Sequence, residues 1–80
     1  MEKQIILEDL ISIMRQLTNN PTLVFNEDAT ANDIDGWSSL VHTELIAEIE
    51  KHFGFKFSLM EVLSMKKEIP CIINLIKQHV

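Results

Sequence analysis

Two adjacent serines, Ser38 and Ser39, stand between the single tryptophan, Trp37, and a run of apolar residues at helical spacing. A serine just ahead of the first apolar residue is a helix N-cap, its oxygen taken up by an amide of the first turn. With Ser38 as the cap, Ser39 becomes the first residue of helical geometry. Its hydroxyl can then point outward at the positive end of the helix. Unpaired amides and the macrodipole stabilise an anion there, so the position suits a phosphate ester. For an isolated pair of serines, the plainer reading is that both only cap.

Other residues invite chemistry and do not sustain it. His42 lies three residues after Ser39, in reach for a general base, but its angle around the helix groups it with Ile46 and Ile49. No acidic partner is placed to orient it and no G-x-S-x-G elbow surrounds the serine, so a half-buried, satisfied histidine is expected. His52 and His79 have no ligand spacing to each other or to Cys71, and no metal site is expected. Cys71 sits among isoleucines, as a small buried hydrophobe does rather than a nucleophile. The stretch NEDATANDIDG carries Asp28, Thr30, Asn32 and Gly36 in the manner of a calcium loop. It lacks the closing bidentate Glu, and its glycine is out of place.

Helices must position the serines. His42, Leu45, Ile46, Ile49 and Phe53 stack on one helical face, with Leu40, Thr43, Glu44, Ala47 and Lys51 opposite. Gly36 supplies a turn before this helix, and Gly54 suits the left-handed position that ends it. Upstream, Ile6, Leu10, Ile13, Met14 and Leu17 mark a first helix over Glu2 to Thr18, stopped by Asn19-Asn20-Pro21. From Asn20 to Trp37 runs a loop long enough to be functional or mobile, with Val24, Phe25, Ile34 and Trp37 expected to tie it down. Ser58 to Glu61 is a capping-box pattern for a short helix over Leu59 to Met65, with Val62 and Leu63 facing inward. Pro70 opens a last helix to about His79, with Ile69, Ile72, Ile73 and Ile76 buried. The expected fold is all-α: a small four-helix bundle of three longer helices and one short, with a long loop between the first and second.

The segment GWSSLVHTELIAEIEKHFGFKFS resembles the G-W-D-S-L-x-x-x-x-L-I-x-x-I-E-x-x-F-G-[IF]-x-F segment of stand-alone acyl carrier proteins. By register the serine of D-S-L falls on Ser39, with Leu40 after it and Phe53 fourteen residues on. The helical patterns on either side fit as well, so the resemblance covers nearly the whole chain. It implies a non-catalytic carrier whose Ser39 holds 4′-phosphopantetheine, the arm's thiol bearing an acyl group as a thioester. The implied partners are a phosphopantetheinyl transferase and acyl-activating and acyl-transferring enzymes with basic surfaces. Leu40, Thr43, Glu44, Ala47 and Glu48 would form the face they recognise. One position departs: the usual Asp before the serine is Ser38, which keeps the N-cap and loses a negative charge. Val41 and Lys51 stand where fatty-acid carriers are often acidic, which suggests a dedicated secondary pathway.

Eighty residues, 46% of them hydrophobic with only 2 Gly and 2 Pro, suit one folded domain, residues 1–80. One cysteine excludes an internal disulfide and a cysteine-rich zinc site. No secretory signal and no membrane-length apolar run is present, so a cytoplasmic monomer away from membranes is expected. The net charge of −5 is uneven: Glu27 to Glu50 holds seven acidic residues and no Lys or Arg, whereas five lysines follow from Lys51 onward. Such an acidic stretch repels nucleic acid and steers basic protein surfaces toward Ser39, where most charge runs are merely solvated. Two other classes share these periodicities: an aminoacyl or peptidyl carrier, and a small helical interaction module without a prosthetic group.

Overall fold

The computed structural model describes residues 1–80. Four α-helices follow one another: α1 (Lys3–Leu17), α2 (Ser39–Phe53), α3 (Leu59–Ser64) and α4 (Ile69–Lys77). A single 3-10 turn, Ala31–Asp33, interrupts the long loop, and the chain forms no strand. The all-α, four-helix expectation holds, and each helix begins and ends within two residues of its expected bounds.

α1 buries Ile6, Leu7, Leu10, Ile13 and Met14 and packs against both α2 and α4. Its end is built by asparagine chemistry. Asn19 takes φ of 56°, a left-handed value that Asn tolerates better than most residues. The Asn20 amide then reaches back to the Arg15 carbonyl at 3.1 Å and the Asn19 amide to Gln16 at 3.3 Å, the paired bonds of a Schellman end. α4 buries Ile69, Ile72, Ile73 and Ile76 completely, in the expected stripe, with Pro70 in its first turn. All 18 buried residues are hydrophobic, and no buried side-chain polar atom lacks a partner. The core therefore bears no desolvation penalty for orphaned polar groups.

Three local expectations are corrected. On α2 the buried stripe is Val41, Leu45 and Ile49, while Ile46, Phe53 and His42 lie half-buried beside it. The inward face keeps Leu45 and Ile49 and is rotated by roughly half a residue, about 55°, and Val41 belongs to the core rather than to the outer surface. In the long loop, Leu23 rather than Val24 is the anchor: the Arg15 Nε–H donates to the Leu23 carbonyl at 2.7 Å. Alternation along the extended chain then turns Val24 outward, 68% exposed, and returns Phe25 to partial burial. Ile34 and Trp37 pin the rest of the loop as expected. In α3, Val62 is half-buried but Leu63 is 70% exposed. Six residues can put only one narrow side inward, and Phe57 and Met65, just outside the helix, complete that contact.

Candidate functional site

The site begins at Gly36. Its φ of 87° lies in the left-handed region, which favours glycine, while an added Cβ would only touch the Thr18 side chain at 3.4 Å, an ordinary packing distance. The turn delivers Trp37 into the core, 5% exposed. The next residue, Ser38, is in extended geometry, and its hydroxyl accepts the Val41 amide at 3.2 Å. Ser38 is therefore the N-cap of α2, as expected. Its carbonyl also accepts the His42 amide at 2.9 Å. Of the first amides of the helix, those of Ser39 and Leu40 have no intrahelical acceptor to reach.

Ser39 is the first helical residue and is exposed. Its carbonyl is bonded by the Thr43 hydroxyl at 3.1 Å, but its own hydroxyl oxygen meets only one side-chain group, the Lys67 ammonium at 3.5 Å. Two surface hollows, of about 430 and 370 Å³, lie elsewhere, one beside Arg15 and Asn19 and the other beside Phe25 and Asp28. Ser39 thus stands on a projecting helix end, displayed rather than enclosed.

His42 is taken up by Trp37. The indole Nε1–H donates to the His42 Nδ1 at 3.2 Å, which requires that nitrogen to be unprotonated. Burial, and secondarily the nearby Lys67 charge, lower the His42 pKa below its ordinary 6.5. No hydrogen bond joins His42 to Ser39, so the half-buried, satisfied histidine expected from its angular position is what the fold contains. Leu40, Thr43, Glu44 and Ala47 are exposed along α2 and Glu48 is partly exposed. Leu40 is 70% exposed, as are the α3 side chains Leu59, Met60 and Leu63 to within a few per cent.

The remaining singled-out residues serve the frame. The His52 Nε2 lies 3.2 Å from the Asp9 carboxylate and joins the end of α2 to α1. Cys71 is unpaired and, against expectation, only partly buried, because it lies beside rather than within the buried Ile69, Ile72, Ile73 and Ile76 stripe of α4. His79 meets both carboxylate oxygens of Glu61 at 2.9 and 3.0 Å while its ring stacks on Phe55, centroids 4.3 Å apart. Glu61 also accepts the Ser58 amide at 2.8 Å, completing the capping box of α3. The bond from that amide and then the one to His79 hold its carboxyl below the usual range. Neither this latch nor the approach of Lys67 to Ser39 has a local signal in sequence. Their partners are 18 and 28 residues apart.

A small four-helix domain that displays a serine at the start of its second helix has the architecture of a carrier protein. Neither a protein-family model nor a curated protein matches the sequence. Among solved structures the chain is similar to the solution structure of a holo acyl carrier protein from Geobacter metallireducens. The identity is 35%, the match covers 90% of this chain and 82% of that one, and the TM-score is 0.74. The chain belongs to the acyl carrier protein family.

Proposed function

We propose that the protein carries an acyl group through phosphopantetheine attached to Ser39. The observation that carries this reading is the exposed Ser39 hydroxyl at the first position of α2, its neighbour Ser38 being used as the cap. The residues fit the group: the Ser39 oxygen is reachable, free amides lie at the helix end, and a lysine stands beside it. In the attachment, the Ser39 oxygen bonds to the phosphorus of coenzyme A that bears pantetheine. The hydroxyl proton is lost, and the adenosine bisphosphate portion leaves. The bound arm supplies a thiol that holds the acyl group as a thioester, and the polypeptide supplies position and recognition rather than catalysis.

Leu40, Thr43, Glu44, Ala47 and Glu48 form the face offered to a phosphopantetheinyl transferase and to acyl-activating and acyl-transferring enzymes with basic surfaces. Ser38 in place of an acidic residue at the start of α2, and Lys51 exposed in its last turn, make this helix less negative, which supports service in a dedicated secondary pathway. The protein works as a cytoplasmic monomer made of one carrier domain. No helix is long and apolar enough to cross a membrane.

Incubation with coenzyme A, magnesium and a permissive transferase should add the pantetheinyl phosphate mass once per chain, on the peptide containing Ser39. Ser39→Ala should abolish the adduct and Ser38→Ala should not. An adduct that survives Ser39→Ala would remove this assignment.

A further inference from the structure

Lys67 is brought to Ser39 by the backbone. The connector between α3 and α4 forms an isolated antiparallel bridge with the long loop, Thr30 against Glu68. The Ala31 amide donates to the Lys67 carbonyl and the Ile69 amide to the Ala29 carbonyl, both at 2.9 Å. Ala29 and Ile69 are buried, so the bridge is seated on the core. The Lys67 side chain therefore leaves a fixed point rather than a loose turn.

Its ammonium has no carboxylate partner. The chain has 12 acidic residues, yet the ion pairs within 4.0 Å use Lys3, His52 and His79 instead. The hydrogen bond that the Lys67 ammonium does make goes to a neutral oxygen, that of Ser39. Its charge is felt at this end of α2, since it contributes to the lowered pKa of His42. An anchored cation beside a neutral oxygen gains charge-assisted hydrogen bonding when that oxygen becomes part of an anionic ester.

We infer that Lys67 is the cation that pairs with the phosphodiester formed at Ser39, so that loading fastens the α3–α4 connector to the start of α2. The inference rests on the proposed attachment at Ser39 and goes beyond it in giving the arm's phosphate a specific electrostatic partner. The phosphodiester adds one negative charge next to the ammonium and the free amides of Ser39 and Leu40. The interaction is partly exposed, so its strength falls with salt. Lysine holds phosphate as a point charge and arginine can replace it, whereas glutamine keeps length and some hydrogen bonding but no charge.

The test compares melting temperatures of unloaded and loaded protein for the wild type, Lys67→Gln and Lys67→Arg, with intact mass read before each melt. Wild type that gains no pantetheinyl mass refutes attachment at Ser39 itself. With loading established, attachment should raise the wild-type melting temperature at low ionic strength. The rise should shrink to less than about half in Lys67→Gln, persist in Lys67→Arg, and fade at high salt. A structural role for Lys67 would lower the unloaded and loaded melts together and leave their difference unchanged. Equal increments in loaded wild type and loaded Lys67→Gln overturn the inference. If Lys67→Gln resists loading, the wild-type increment decides: one that is unchanged between low and high salt overturns it, and one that fades supports it.

Discussion

Trp37 and His42 show how a residue that looks reactive in sequence is consumed by its surroundings. A buried indole needs an acceptor for its N–H, and here that acceptor is the His42 Nδ1 at 3.2 Å. The lone pair exists only on the neutral ring, so protonation of His42 breaks the bond. Burial first, and Lys67 second, hold the pKa of His42 below 6.5. The unfolded chain therefore binds this proton more readily than the folded one. The resulting stability is fully present above the unfolded value of about 6.5 and is lost as pH falls from there through the folded value. A glutamine at this position can still accept from Trp37 but cannot titrate. Urea melts at about pH 7 and about pH 5 should show the wild type losing more stability than His42→Gln over that interval. An imidazole titration of His42 by NMR provides the direct check, and a value at or above 6.5 would contradict the account.

At the scale of elements, period and caps were legible and rotation was not. The ends of α1 and α2 follow from Asn19 and Gly54, which adopt the left-handed values that their residue types favour. The division of labour between Ser38 and the start of α2, and the Ser58–Glu61 capping box, also follow from local chemistry, because their hydrogen bonds span three residues. The inward face of α2 depends instead on what α1 presents to it. In SLVHTELI the expected stripe sets His42 and Ile46 beside Leu45, whereas the enclosed one sets Val41 beside it, a rotation of about 55°. The same ambiguity misplaced Leu63 in a helix of six residues. The two positions can be separated by experiment. Leu45, fully buried beneath α1, should cost about 2–5 kcal/mol on truncation to Ala, whereas Leu63→Ala should stay within about 0.5 kcal/mol. Denaturant melts of the two variants measure the contrast, and comparable losses would mean that α3 turns Leu63 inward.

Across the whole molecule, charge is sorted along the sequence, but the fold does not keep the two signs apart. The acidic span from Glu27 to Glu50 includes the exposed side of α2, while Lys67, from the basic C-terminal part, is carried back to the start of the same helix. The result is a serine with one cation close by and carboxylates farther along α2, at Glu44 and Glu48. Local sequence carried the acidic field but not the cation, because the Thr30–Glu68 bridge that carries Lys67 back joins residues far apart in the chain. Exposed carboxylates contribute little to folding, yet they shape the field that a basic partner meets during its approach. Glu44→Lys combined with Glu48→Lys should therefore leave the melting curve almost unchanged. With Ser39 as the acceptor, the same pair should slow modification by a transferase with a basic docking surface, mainly through the association step. It should also flatten the salt dependence of the rate, since the wild-type attraction is screened as ionic strength rises and the reversed charges leave little attraction to screen. Transferase kinetics at two ionic strengths, with intact mass as the readout, make the comparison. Unchanged rates and an unchanged salt dependence would place the recognition surface away from the outer face of α2.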